Sequence, residues 1–272
     1  MSTGIIITGA SGYIASNLIK KLNETEFFFI EKSKMDITDT NNRVVQNLHD
    51  KFSNIHLLHL ATHYSKNIKD NDKIYEANIL FGSRLLEKLN DINISKILYT
   101  NTMFNYYFDK TSRNLYYTQT KRDFSEIVEN FCNKKNINYE EIFLDNTFGL
   151  NDSRKKIVDV IIQSIKDREE NPIINKETSI NLIGVKNVIE RLLISSKENV
   201  SYKSSFVSNK MVNINSIYEY LKHYSVNGVK EKDLLDYTEN TYMNSAPPID
   251  HKYIQISNIE DDLINLYDNY SY

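Results

Sequence analysis

Three tyrosines in this 272-residue chain have a lysine four residues further on: Tyr106 with Lys110, Tyr117 with Lys121, and Tyr218 with Lys222. Four residues along a helix return to the same face, so each pair can present a phenol and an ammonium to one site. A free tyrosine titrates near ~10, and a neighbouring ammonium favours the phenolate. Lowering that value by roughly three units corresponds to about 4 kcal/mol of differential interaction. Such a phenol can move a proton near neutral pH. With 19 tyrosines in the chain, chance alone supplies pairs of this kind. Spacing leaves the choice among the three open.

A second constellation opens the chain. "GIIITGASGYIASNLIKKL" begins with a short β-branched run, Ile5 to Ile7, which suits a strand buried on both faces. Gly9 and Gly12 follow, and Ile14, Ala15, Leu18, Ile19 and Leu22 then recur at helical spacing. Strand, glycine turn and helix start make a phosphate-binding arrangement. Glycines let backbone N–H groups approach a pyrophosphate, and a helix N-terminus adds partial positive charge. The third position needs only a small side chain, and Ala15 supplies it. The next strand, "EFFFI", ends in Glu31, about 20 residues beyond the glycines, where an acid grips an adenosine ribose 2′-hydroxyl. Lys32, Ser33 and Lys34 come next and suit a 2′-phosphate instead, so both signals are present. In "MDITD", Asp36 and Ile37 suit an adenine edge, while Asp36 or Asp39 suits a helix cap equally well.

The rest of the chain alternates. "IHLLHLAT", "SKILYT" and "YEEIFL" read as strands; "ANILFGSRLLEKL" and "KRDFSEIVENF" read as helices with one apolar stripe. This βαβ order predicts an α/β fold with a Rossmann-like, doubly wound parallel sheet. We place a dinucleotide-binding domain at 1–150, completed by a strand near 204–208. A small C-terminal, mostly substrate-binding portion follows at 151–272. All three prolines lie in that second part.

Composition narrows the function classes. Net charge is −3 and the lysines are dispersed, so no nucleic-acid partner is expected. No signal-peptide pattern is visible, and runs such as "FFFI" are far too short to span a bilayer. A soluble cytoplasmic protein is expected, with no membrane partner. Cys132 is alone and reads as a packed thiol. His59 and His63 flank a strand end with no carboxylate nearby in sequence, which favours structural roles and no metal.

Taken in order, these segments resemble the extended short-chain dehydrogenase/reductases, the sugar-nucleotide epimerase/dehydratase group, over residues 4 to about 210. "TGASGYIA" resembles the family's glycine loop, "HLAT" its HLAA segment, and "ANILFGSRLLE" its asparagine-bearing helix. "YTNTMFNY" resembles the strand end that carries a catalytic Ser or Thr four residues before a landmark tyrosine. Tyr106 is that landmark, so Thr102 is the match. The resemblance thereby selects Tyr117 with Lys121, which follows this segment and opens an amphipathic helix. It implies Thr102, Tyr117 and Lys121 as catalytic. It implies cofactor contacts from Gly9, Ser11, Gly12, Tyr13 and Ile14, from Glu31, Lys32, Asp36 and Ile37, and from Leu60, Ala61, Thr62, Asn78 and Thr100 beside Tyr117 and Lys121. "DNTFGLND" is similar to a substrate-side segment, which implies Thr102, Asn146, Arg154 and Lys155 on the substrate. Arg154 and Lys155 read nearly as well as a solvated helix start.

"NLYYTQTK" and "DNTFGLNDSRKK" together look like the branch holding the CDP-abequose and CDP-paratose synthases, which reduce a 4-keto sugar nucleotide. Departures narrow the reaction further. Dehydratases of the group carry Asp-Glu after the catalytic threonine; here those positions are Met103 and Phe104. The epimerising GDP-fucose synthase type needs a cysteine where Phe104 stands. The resemblance therefore implies NAD(P)H-dependent 4-keto reduction of a nucleotide-linked 4-keto-6-deoxyhexose, in deoxysugar and O-antigen or polysaccharide biosynthesis. NADP is slightly favoured over NAD. The alternatives are a sugar-nucleotide 4-epimerase with bound NAD, and a non-catalytic NAD(P)-sensing protein on the same fold. A homodimer through helices at 78–89 and 117–132 is implied by the family.

Overall fold

The computed structural model describes residues 3–22, 27–30, 52–107, 110–113, 115–152, 154–169, 177–206, 208, 210–239 and 258–270. These fall into two units, each with its own apolar core. The first comprises described residues within Met1–Leu144 and Ile189–Ser205. The second comprises those within Asp145–Val188, Phe206–Tyr242 and Tyr253–Tyr272. The sequence reading put its boundary at 150; the first unit here ends at Leu144 and takes in a later segment of chain.

In the first unit, β1 (Thr3–Thr8), β2 (Phe27–Ile30), β3 (Asn54–His59), β4 (Ile94–Thr102) and β5 (Asn138–Leu144) run parallel in the order β2-β1-β3-β4-β5. The six-stranded sheet is completed by Tyr202–Phe206, the ninth strand of the chain, beside β5. Ile6, Ile7, Leu57, Leu58, Ile97 and Leu98 are fully buried, as expected of strands covered on both faces. The chain leaves β1 toward β2 and returns to its other side as β3. Thr8 and His59 pair there, at the topological switch point where open α/β sheets bind ligands.

Helices cover the sheet. α1 (Tyr13–Ile19) follows the glycine turn. The expected helix around 78–89 is interrupted: α2 (Asn71–Tyr75) runs into a π-helical turn (Glu76–Leu80) and then α3 (Phe81–Lys88). A π turn adds one residue to the helical repeat and is frequent at functional sites. After the short α4 (Lys110–Arg113) comes α5 (Tyr116–Lys135), whose Lys121, Phe124, Ser125, Val128 and Cys132 form one buried stripe. Lys121 thus occupies a core position on the sheet-facing side. The Cys132 thiol is packed, and burial pushes its pKa up to about 12.

Adjacent residues of β5 point to opposite faces and carry two buried glutamates. Glu140 pairs with Lys96 of β4 at 2.8 Å and accepts from Ser195 at 2.8 Å, with Arg191 at 3.4 Å. Lys96 also donates to the carbonyls of Ser195 and Glu198. This ion cluster fastens the returning segment Ile189–Ser205 to the sheet. Glu141 faces the α5 side.

The second unit contains β6 (Asn146–Phe148), α6 (Ile157–Lys166), β7 (Ser179–Ile180), β8 (Leu182–Gly184) and the start of α7 (Val185–Ser195). After the edge strand of the first unit, β9, it adds β10 (Lys210–Asn213), α8 (Ile214–Asn227), β11 (Tyr237–Glu239) and α9 (Ile259–Asp268). β6 pairs with β8 in parallel, and β10 pairs antiparallel with β7 and β11. Its core joins Phe148, Ile161, Leu182, Ile217, Leu221 and Leu263.

Candidate active site

At the C-terminal end of β1, Gly9 has φ 72°, a left-handed conformation that favours glycine. A Cβ on Gly9 would also stand 2.7 Å from the Ala61 amide nitrogen. Glycine is therefore demanded by the chain's own backbone as well as by the phosphate approach expected from sequence. The Gly12 N–H donates to the Gly9 carbonyl at 2.8 Å, and Gly12 starts α1 with no side-chain cap and no acid in the first turn. Ser11 and Gly12 are exposed, Tyr13 and Ile14 half-buried, and Ala15 packs inside. An open, acid-free turn of this kind fits the pyrophosphate of a dinucleotide. Leu60 is buried, Ala61 half-buried and Thr62 exposed just beyond β3, and Thr100 is buried on β4. Glu31, Lys32, Asp36 and Ile37 lie outside the described residues.

His59 is buried between Phe81 and Phe124, with ring centroids 6.0 and 4.9 Å away. Its Nδ1 lies 3.0 Å from Thr8 Oγ1, which accepts from the Ala61 N–H at 3.3 Å. Burial first, and the charge of Lys121 second, push its pKa down to about 3. His59 is therefore a neutral packing residue that ties the ends of β1 and β3. Asn78, in the π turn, was expected at the cofactor. Its Oδ1 accepts from Thr62 Oγ1 at 3.1 Å and His63 N at 2.8 Å. Its Nδ2 donates to the His63 carbonyl at 3.2 Å and Thr120 Oγ1 at 3.1 Å. Both ends of the amide are engaged by protein, so Asn78 locks the loop after β3 onto α5.

Thr102 ends β4, buried, and its Oγ1 accepts from the Phe104 N–H at 3.3 Å. Accepting that bond leaves its proton to donate. Met103 is buried and Phe104 half-buried beside Tyr107. Tyr117 and Lys121 stand one turn apart on α5. Tyr64 meets the Tyr117 ring edge-on at 4.9 Å. Lys121 is buried, and desolvation, partly offset by Glu141, lowers its pKa to about 8. Asn101, to which the sequence assigns no role, connects Thr102 to the backbone of Lys121. Its Oδ1 accepts from Thr102 N at 2.7 Å, and its Nδ2 reaches Glu141 Oε1 at 2.5 Å and the Lys121 carbonyl at 3.5 Å.

The other two tyrosine–lysine pairs sit elsewhere. Tyr106 packs edge-on against Phe143 at 5.4 Å, and burial pushes its pKa up to about 12. Tyr218 is buried in α8 of the second unit, with Lys222 Nζ 5.3 Å over its ring. In the second unit, Asn146 bonds to Asp145, and Arg154 forms a two-pronged pair with Asp152 at 2.6 Å. Lys155 is exposed at φ 46°. Lys156, which the sequence reading passed over, donates to the Thr147 carbonyl at 2.7 Å; burial lowers its pKa to about 8. The left-handed residue before it rephases the basic run, so the third cation, not the second, turns inward. Among the described residues no group of three or more His, Cys, Asp or Glu could hold a metal, and no helix is long and apolar enough to cross a membrane.

The family model described as "NAD dependent epimerase/dehydratase family" matches residues 5–214. Among curated proteins, CDP-abequose synthase of Salmonella muenchen is 22% identical over 233 residues, covering 80% of this chain and 79% of the relative. The Yersinia pseudotuberculosis CDP-abequose synthase is 24% identical over 221 residues, covering 75% and 77%. Among solved structures, UDP-glucose 4-epimerase of Thermotoga maritima with UDP-glucose aligns with TM-score 0.72 at 16% identity, covering 97% of both chains. UDP-glucuronic acid 4-epimerase of Bacillus cereus in complex with NAD aligns with TM-score 0.72 at 16% identity, covering 97% and 95%.

Proposed function

We propose that this chain, which belongs to the NAD dependent epimerase/dehydratase family, reduces the 4-keto group of a nucleotide-linked 4-keto-6-deoxyhexose. Gly9, Ser11 and Gly12 would hold the dinucleotide's pyrophosphate, and Lys121 its nicotinamide ribose. That cofactor, when bound, would supply the hydride for the keto carbon. Tyr117 gives its phenolic proton to the oxygen as it becomes an alkoxide, so the carbonyl ends as an alcohol. Thr102 donates a hydrogen bond to the same oxygen and keeps it in line. Lys121, beside the phenol, stabilises the phenolate left behind.

One observation carries the reaction type. The two residues after Thr102 are Met103, packed in the core, and Phe104, packed on Tyr107. Neither moves a proton, so water elimination has no acid and base at that place. The curated relatives named CDP-abequose synthase support the same reading. Purified protein given NADPH or NADH and a panel of CDP-, dTDP- and GDP-linked 4-keto-6-deoxy sugars should oxidise the cofactor with one of them. Formation of a 4-keto-6-deoxy product from an unmodified nucleotide hexose, seen by mass spectrometry, would overturn it.

The 4-epimerases among the structural neighbours support a second reading, a 4-epimerase that oxidises and re-reduces its substrate. That reading requires NAD retained through purification and no net cofactor turnover. Within the leading reading NADPH is preferred to NADH, on the strength of Lys32 and Lys34, and the protein is a homodimer. Cofactor ratios of a Lys32→Ala, Lys34→Ala variant and sedimentation velocity test these two points.

A further inference from the structure

Glu141 is a buried carboxylate to which the mechanism above gives no task. Its neighbour Glu140 is explained by Lys96, a fully buried cation at 2.8 Å. Glu141 is compensated less well. Its cation is Lys203 of β9, at 3.2 Å, which is 28% exposed and shared with Glu129. Burial opposes the charge on Lys203, but the bonds to Glu129 and Glu141 outweigh it and hold its pKa above the ordinary lysine value. Lys121, on the same side of the sheet, is a buried cation with no carboxylate within ion-pair distance among the described residues. Two incompletely matched opposite charges are thus buried within electrostatic reach of each other, and Asn101 bonds to both residues. That amide touches the carboxylate of one and the backbone of the other: Nδ2 reaches Glu141 Oε1 at 2.5 Å and the Lys121 carbonyl at 3.5 Å. Its Oδ1 holds the Thr102 N–H at 2.7 Å and the Asn105 amide at 3.0 Å. Ser125, one turn beyond Lys121 on α5, donates to Glu141 Oε1 at 2.7 Å.

We propose that Glu141 is a positioning residue of this site, holding the threonine and the lysine-bearing turn through Asn101 and setting its negative charge behind Lys121. The inference rests on the Tyr117–Lys121 reading. A lysine taken out of water favours its neutral form, and a fixed anion restores the charged one. Beyond Lys121, the titratable groups that sense Glu141 are Lys203, Tyr106, Tyr99 and Tyr139, with Glu129 bonded to the same Lys203. Glu141→Gln keeps an oxygen for Asn101 and Ser125 and leaves Lys203 paired with Glu129, so the charge is what changes.

The test is the titration of Lys121 by 13C NMR of lysine-labelled, cofactor-free protein, assigned by the signal missing from Lys121→Met. In Glu141→Gln its midpoint should fall by roughly one pH unit, tenfold in proton affinity. Glu141→Asp, which keeps the charge, should restore most of that shift. With substrate, the alkaline limb of the turnover profile should fall by the same amount while KM holds. An unmoved Lys121 midpoint in folded Glu141→Gln overturns the proposal. A moved midpoint without turnover on any sugar nucleotide leaves the proposal standing and sinks the ketoreductase reading instead.

Discussion

His59 should make the protein acid-sensitive well above the pH at which carboxylates titrate. In the unfolded chain a histidine takes its proton near the ordinary value of 6.5; in the fold, burial and then Lys121 push His59 down to about 3. The folded pKa is depressed, so the unfolded state binds more protons between those values and stability falls as the pH is lowered. Above about pH 6.5 the penalty is absent. Carried to completion, a separation of about 3.5 units is worth roughly 4.8 kcal/mol. Between about pH 7.5 and about pH 4.5 the loss from His59 is roughly 2.7 kcal/mol. His56 also has a lowered pKa, from burial first, so the parent's total slope carries both residues. The decisive quantity is a difference. His59→Gln will be less stable at neutral pH, having lost contacts with Phe81 and Phe124, but its urea-unfolding free energy should fall by ~2.7 kcal/mol less across that range. Equal slopes in the two proteins, or a His59 ring that titrates near 6.5 by 15N NMR, would refute the reasoning.

Tyr117→Phe keeps the ring and removes the acid, so calorimetric NAD(P) affinity should hold while turnover falls by ~10²–10⁴-fold. Tyr106→Phe and Tyr116→Phe should cost much less, and the reverse ranking means the wrong pair has been chosen. Gly9→Ala puts a side chain on a left-handed backbone against Ala61, and should lower the urea-unfolding free energy of the cofactor-free protein by at least about 1 kcal/mol. Stability equal to the parent would return Gly9 to a purely ligand-driven role. Lys96→Met leaves Glu140 buried with Arg191, Ser195 and Ser204 beside it but without its closest cation, and should cost about 3 kcal/mol by chemical denaturation.

The features most legible in the sequence are those whose cause is local. Ile5 to Ile7 followed by Gly9 and Gly12 shows both the strand and its turn, because β-branching and backbone freedom are properties of single residues. The stripe Phe124, Ile127, Val128 and Phe131 shows the apolar side of α5 for the same reason, although Ile127 and Phe131 lie at its margin and Cys132 is buried with Phe124 and Val128. Asn101, Glu141 and Lys203 gave no signal. Each is an ordinary polar residue until the sheet brings β4, β5 and β9 together, and 62 residues separate the glutamate from its cation. The π turn at Glu76–Leu80 is invisible to a helical period that assumes constant pitch. It turns on Asn78 being bonded to a loop and to Thr120 at once. Lys156 is not distinguishable in the sequence because the left-handed Lys155 changes the phase of an otherwise uniform basic run.

The buried ion cluster on β5 also bears on the order in which the protein can be made. On a ribosome, Glu140 and Glu141 emerge long before Arg191, Ser195 and Lys203, the groups that complete their sets of partners. The nascent first 144 residues hold Lys96 and Glu140 together but lack the carbonyls of Ser195 and Glu198, the Arg191 guanidinium and the β9 edge. A fragment ending near residue 150 therefore exposes an unpaired sheet edge beside poorly satisfied charges, a combination that invites aggregation. The six-stranded sheet cannot close as a finished unit until translation has passed residue 205.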